Sequence, residues 1–186
     1  MIREIHTADL DDVMRMNNDN VPAVSYIERD ELEQDIRLAK HALVIGDSPV
    51  RGFCTTFSSG ITEDLGVNYA WFATRYPHFV YLDRVVIDTA FRSQGLGEML
   101  YDEVERRIRA EAVTDLFVCE VNLQPRNDGS LRFHARLGFE QVGEQNPNPD
   151  SSWRCSPSDC ASRREKSLLR NSGVNAMRRR SASYFF

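Results

Sequence analysis

The sequence predicts an α+β domain, α/β-like in its second half, in which a mixed sheet carries helices on its faces. Three observations predict it. Short apolar runs of strand length alternate with stretches of helical periodicity in the order βααβββαβαβ. A dense apolar strand at 79–87 passes through a two-glycine turn into the most strongly patterned helix of the chain, at 95–112. The 186 residues, 41% hydrophobic and 27% charged, suit one domain with a core of its own.

Residues 2–5 read as a strand. Thr7 or Asp9 then caps a helix to about residue 18, with Leu10, Val13, Met14 and Met16 on its apolar side. A second helix fits 28–40, where Leu32, Ile36 and Ala39 share a face and Asp30, Glu31, Glu33 and Asp35 make the solvated one. Residues 42–45 and 50–57 read as two strands, and Asp47-Ser48-Pro49 turns the chain between them. Residues 58–77 form a long connection containing Trp71, Phe72 and Tyr76, and connections of that length in a compact domain often carry function. Within 95–112, Leu96, Leu100, Val104 and Ile108 recur at helical spacing. Asp102–Arg106, Glu103–Arg107 and Glu105–Arg109 are acid-first pairs one turn apart. Residues 116–121 are a strand, 130–137 a short helix stopped by Gly138, and 139–143 the start of another strand.

The net charge of −5, from 23 Lys and Arg against 28 Asp and Glu, argues against general binding to nucleic acid or to an anionic membrane. No apolar run approaches the ~18 residues that span a bilayer, and residues 1–6 lack the pattern of a secretory leader. Cys54, Cys119, Cys155 and Cys160 are too few for a disulfide scaffold, so a cytoplasmic location is expected. His6, His41 and His78 are scattered, and the Cys155/Cys160 pair has no nearby His, so no metal site is expected. In 146–186 the basic residues Arg154, Arg163, Arg164, Lys166, Arg170, Arg178, Arg179 and Arg180 outnumber the acids Asp150, Asp159 and Glu165. This Ser-rich stretch reads as an atypical basic tail to a body at 1–145, either a partner-binding tail or a shifted reading frame.

Arg92-Ser93-Gln94-Gly95-Leu96-Gly97 joins strand to helix. Glycines there allow close approach of a ligand and dihedrals that a Cβ forbids. The first N–H groups of the following helix have no internal acceptor and sit at the positive end of its dipole, so such a turn can hold a pyrophosphate, and Arg92 can add a charged contact. Two glycines alone fit an ordinary strand-to-helix turn equally well. The segment is neither a Walker A loop nor a three-glycine dinucleotide fingerprint.

Val85-Val86-Ile87-Asp88-Thr89-Ala90-Phe91-Arg92-Ser93-Gln94-Gly95-Leu96-Gly97 resembles the acetyl-CoA signature of the GNAT superfamily of acyl-CoA-dependent N-acyltransferases, in which an apolar strand leads through Arg/Gln-x-x-Gly-x-Gly/Ala into a helix. Asn127-Asp128-Gly129-Ser130-Leu131-Arg132-Phe133-His134-Ala135-Arg136-Leu137-Gly138-Phe139 resembles a second family element, Asn-x-x-Ser/Ala-x-x-Phe/Leu-Tyr-x-x-x-Gly-Phe. The two in order, with a strand between, are far more specific than either alone. The resemblance covers about residues 1–145. Asn17-Asn18, Val21-Pro22-Ala23-Val24 and Tyr81-Leu82-Asp83-Arg84 also look like a bacterial subgroup of predicted acetyltransferases.

The resemblance implies a GNAT fold: a mixed central sheet with flanking helices and two splayed parallel strands, here about 79–88 and 115–122. The acyl donor acetyl-CoA would be wedged between them, with no metal. It implies that Val85, Val86 and Ile87 bond the pantetheine arm, that Arg92, Ser93, Gln94, Gly95, Leu96, Gly97 and Glu98 hold the pyrophosphate, and that Asn127 contacts the same molecule. The implied activity is acetyl transfer to a primary amine, of a small molecule or of a peptide or protein, by direct attack in a ternary complex. The alternative is a GNAT-fold sensor or scaffold that holds acyl-CoA without turnover. Glu120 is the candidate base, otherwise a solvent-facing strand residue or ion-pair partner. Asp83 is the rival carboxylate, otherwise a partner of Arg84. His134 stands where the family most often has Tyr, as the acid for the thiolate or as a polar residue packed near the sulfur. Asn17, Asn20, Trp71 and Tyr76, with Asp83, are the acceptor-binding candidates. The aromatics otherwise form a satellite core or a dimer contact. Family members are often dimers and end on a strand after a hairpin, which places a homodimer and a final strand near 166–170 among the expectations.

Overall fold

The computed structural model describes residues 1–123, 125–145 and 174–180. The strands are β1 (Ile2–Glu4), β2 (His41–Ile45), β3 (Gly52–Ser58), β4 (Val80–Ile87), β5 (Leu116–Asn122), β6 (Glu140–Gln145) and β7 (Val174–Arg180). The helices are α1 (Leu10–Asn18), α2 (Arg29–Leu38), α3 (Gly66–Ala73), α4 (Leu96–Glu111) and α5 (Asp128–Arg136), with short 3-10 turns at Thr7–Asp9 and Thr89–Phe91. All the strands form one sheet in the order β1-β2-β3-β4-β5-β7-β6. β1 to β4 are an antiparallel meander, β4 and β5 are parallel, and β7 runs antiparallel to both its neighbours.

Two elements depart from the expectations, a helix inside a connection and a strand at 174–180 in the tail. The 58–77 connection contains α3, whose Tyr69 and Phe72 pack with Phe57, Phe79, Tyr81 and Val118. The tail contributes β7, paired with β5 from Leu116↔Arg180 to Asn122↔Val174. The segment 166–170 and the pair Cys155/Cys160 lie outside the described residues. β7 carries Met177 opposite Cys119, buried at 4% exposure in the core. Its place comes from the free edge of β5, which leaves no mark in the pattern of 174–180.

Helices cover both faces. Leu100, Val104 and Ile108 of α4 are fully buried against Leu43, Val80, Leu82 and Phe117, with Leu96 partly buried in the same layer. Each such side chain contributes roughly 1.5–3 kcal/mol. On the other face, Val13, Met16 and Leu32 pack against Val44, Phe53 and Val86. Two of the three expected pairs on α4 form, Glu103–Arg107 at 2.8 Å and Glu105–Arg109 at 3.4 Å. Arg106 turns instead to Glu103, at 2.8 Å one residue nearer than Asp102.

β4 contains a bulge. Thr55 faces Arg84 and Thr56 faces Leu82, which leaves Asp83 as the extra residue. The bulge inverts the alternation of the strand. Val80 and Leu82 join the α4 layer before it; Val85 and Ile87 join that layer after it, while Arg84 and Val86 turn to the α1 side.

Candidate functional site

The parallel ladder between β4 and β5 pairs Val80↔Phe117, Tyr81↔Val118 and Leu82↔Cys119, then stops, although the strands continue to Ile87 and Asn122. Beyond the last pair the strands diverge around a groove of about 690 Å³. Asp83 and Glu120, the first residues past that pair, lie at its closed end. The edge of 85–87 that faces β5 has no ladder partner and presents main-chain groups to the groove.

At the open end, Asp88 turns the chain. Its Oδ1 accepts from Ala90 N at 2.9 Å and its Oδ2 from Arg15 at 3.0 Å, and these bonds hold its carboxyl below the usual range. Ser93 (φ 60°) and Gly95 (φ 78°) are left-handed. A Cβ on Gly95 would meet nothing within 4 Å, so the dihedral rather than crowding calls for glycine. A Cβ on Gly97 would stand 3.4 Å from Phe133 Cζ, an ordinary contact, so Gly95 rather than Gly97 is the position whose backbone calls for glycine. Gly95 O accepts from Met99 N at 3.1 Å to open α4, whose first-turn N–H groups have no acceptor within the helix. An anion is favoured at such a terminus. Arg92 hydrogen-bonds Asn20 Oδ1, which ties this turn to the α1–α2 loop.

At the closed end, Glu120 Oε1 accepts from Asn68 Nδ2 at 3.1 Å, and Oε2 is buried without a well-formed hydrogen bond among the described residues. Burial, then the nearby Asp83 carboxylate, raises the Glu120 carboxyl to about 7; the Tyr81 hydroxyl and Asn68 act against that rise. Asp83 pairs with Arg84 Nε at 3.2 Å. Arg84, only 4% exposed, donates to Asn17 Oδ1 at 2.9 Å, Ser25 O at 2.8 Å and Ser25 Oγ at 3.2 Å, and so pins the α1–α2 loop beside the groove.

On α5, Asn127 Oδ1 accepts from Ser130 N at 3.0 Å and caps the helix. His134 is buried. Its Nδ1 lies 2.8 Å from Ser130 O, which can only accept, so Nδ1 carries the proton and Nε2 accepts from the Tyr101 hydroxyl at 2.7 Å. Burial lowers the His134 pKa, partly opposed by the Ser130 carbonyl, and burial raises that of Tyr101. Both groups are therefore neutral near pH 7.

The groove gathers most of the residues expected from the sequence: Val85, Val86, Ile87, Arg92, Ser93, Gly95, Leu96, Gly97, Glu98, Asn127, Glu120, His134, Asn20 and Asp83. Gln94 lies in the same turn but off the lining. Three acceptor candidates are placed elsewhere. Asn17 is wholly buried behind the wall, bonded to Arg84 and Ser25 O. Trp71 packs edge-on to Phe72 at 5.0 Å with Arg75 over its ring, and Tyr76 stacks on Phe72. Both belong to the α3 cluster, as satellite core. Asn68 and Tyr101 also line the groove and escaped sequence reading. Their roles come from partners 52 and 33 residues away, which no local motif encodes. Among the described residues no cluster of three or more His, Cys, Asp or Glu could hold a metal, and no helix is long and apolar enough to cross a membrane.

A model of the acetyltransferase (GNAT) family matches residues 18–139. Among solved structures, Ard1 from Thermoplasma volcanium is similar with a TM-score of 0.68 and 18% identity, over 98% of this chain and 98% of that one. The ribosomal-protein-S18-alanine N-acetyltransferase from Escherichia coli is similar with a TM-score of 0.66 and 12% identity, over 100% of this chain and 96% of that one. The Salmonella typhimurium protein yncA, with its cofactor acetyl-CoA, is similar with a TM-score of 0.64 and 17% identity, over 100% of this chain and 96% of that one. At these identities the likeness is one of fold. No curated protein matches the chain.

Proposed function

The chain belongs to the acetyltransferase (GNAT) family, and from that premise we propose that it moves the acetyl group of acetyl-CoA to a primary amine by direct attack in a ternary complex. The observation that carries this reading is the early end of the β4–β5 ladder, which opens a slot with Glu120 at its closed end. The residues fit acetyl-CoA. The first turn of α4 and the left-handed Gly95 suit the pyrophosphate, the edge amides of 85–87 suit the pantetheine arm, and Asn127 lies beside them.

Acetyl-CoA supplies the activated thioester. Glu120, with its carboxyl near 7, takes the proton of the acceptor ammonium and frees the nitrogen lone pair. Asn68 orients that carboxylate. A main-chain N–H of β4 stabilises the oxyanion. The Tyr101 hydroxyl, which donates its proton to His134 Nε2, lines the slot. Asp83 and Asn20 border the acceptor. Buried free thiols at Cys54 and Cys119 support a reducing compartment, the cytoplasm.

The engaged state of both His134 nitrogens favours a second reading, a module that holds acyl-CoA without turnover. Thiol release from acetyl-CoA with a panel of amines separates the two. Amine-dependent release that falls at least about a hundredfold in Glu120→Gln supports the transferase. Tight CoA binding with no release on any amine supports the module.

A further inference from the structure

The closed end of the groove brings Asp83, Arg84 and Glu120 to one face of the sheet. On β5, Cys119 and Val121 join the α4 layer and Val118 joins the α3 cluster, so Glu120 lies on the α3 side. On β4, Asp83 and Arg84 are neighbours, which a regular strand would send to opposite faces. The bulge at Asp83 breaks that alternation. Arg84 turns to Asn17 and Ser25 on the α1 side, and Asp83 lies 3.2 Å from its Nε. Asp83 and Glu120 are thus the first residues past the last ladder pair, Leu82↔Cys119, on adjacent strands and on one face.

Several elements surround Glu120. Among the described residues, β4 brings Tyr81, Asp83 and Arg84, α4 brings Tyr101, and Cys119 precedes Glu120 on its own strand. α3 adds the Asn68 amide, and β7 sets Ala176 opposite. Burial raises the Tyr101 hydroxyl and the Cys119 thiol, so both are neutral near pH 7. Arg84 directs its terminal nitrogens away, to Asn17 and Ser25. The Asp83 side chain is 17% exposed, so water screens its charge only weakly. A carboxylate in that place acts with burial to favour the protonated form of Glu120. A base poised near neutral pH combines an ionised fraction with affinity for the proton it must take, which an ordinary carboxylate lacks.

Resting on the transferase reading above, we propose that Asp83 is a positioning residue for Glu120: the bulge sets its carboxylate beside the base, and its charge tunes how firmly Glu120 holds a proton. Glu120 takes one proton from the acceptor ammonium and returns it to solvent once the acetyl group has moved. Asp83 exchanges no proton and acts through Glu120. Arg84 fixes the Asp83 carboxylate, and through Asn17 and Ser25 it ties that charge to the α1–α2 loop.

The test follows the Glu120 side-chain carboxyl carbon by NMR across pH in the ligand-free full chain, with its signal assigned by its loss in Glu120→Gln. In Asp83→Asn and in Asp83→Ser the titration midpoint should fall by about one pH unit. The acid limb of kcat/KM should move down with it. Asp83→Glu restores the charge and should bring both back toward the parent. An unmoved midpoint in either neutral variant overturns the proposal even where turnover drops, because a packing role lowers the rate without moving the titration. A midpoint as low in Asp83→Glu as in Asp83→Asn overturns it too. So does failure of both neutral variants to fold, which makes Asp83 a structural residue. The NMR titration needs no turnover and keeps the two readings apart. A lowered midpoint without transfer to any amine upholds the coupling and removes the transferase reading; amine-dependent CoA release with an unmoved midpoint removes the coupling alone.

Discussion

The Tyr101 hydroxyl stands 2.7 Å from Nε2 of His134, and that one bond joins α4 to α5 inside the core. Removing the hydroxyl in Tyr101→Phe strands a buried imidazole nitrogen. The expected loss is about 1–3 kcal/mol in a denaturant titration; unchanged stability would mean that Nε2 has another donor.

Glu120 titrates near 7 against an ordinary 4.5. Its folded pKa lies above the unfolded one, so its neutral form favours the fold fully below pH 4.5, and that contribution fades as pH rises through 7. Glu120→Gln keeps the neutral form at every pH. Melting curves should show the variant more stable than the parent above pH 7, by on the order of 2 kcal/mol, and level with it below 4.5. In the parent, kcat/KM should fall as pH drops below about 7.

Asn68 donates to the ionised form of Glu120. Asn68→Leu should move the Glu120 carboxyl further up, read from the side-chain carbon shift by NMR in the ligand-free protein. The acid limb of kcat/KM should move with it. A carboxyl that titrates as before would leave Asn68 a packing residue only.

Gly95 holds φ at 78° in the turn proposed to hold the pyrophosphate. Gly95→Asp adds a negative charge as well as a Cβ and should lower CoA affinity by about a hundredfold or more in calorimetry. Gly95→Ala carries only the left-handed penalty of about 1–2 kcal/mol. Equal affinities in the two variants would move the pyrophosphate elsewhere.

Gly143 lies where a Cβ would stand 2.5 Å from Trp71 Cζ2. Gly143→Ala should destabilise the protein by about 1–3 kcal/mol, since the indole is held by Phe72 and Arg75. CoA affinity should not change.

The fold was largely legible because its strands and α4 are patterned locally. Leu100, Val104 and Ile108 recur at helical spacing and are buried as that spacing requires. The glycine turn was legible because Gly95 takes a left-handed backbone shape that few other residues adopt. The closed end was not. Asn68 reaches Glu120 from a helix hidden in the 58–77 connection, where its aromatic residues face their own cluster. Trp71 and Tyr76 drew attention as large aromatics, yet the same bulk places them in a core. The bulge at Asp83 has no sequence mark, although it decides which β4 side chains face α4.

The position of β7 between β5 and β6 has a consequence for synthesis. On the ribosome, both neighbours emerge well before residues 174–180 do. The nascent sheet therefore waits with two bare edges on one side of its groove, and a late-arriving strand must thread into place between them before the molecule is safe from mispairing with another copy.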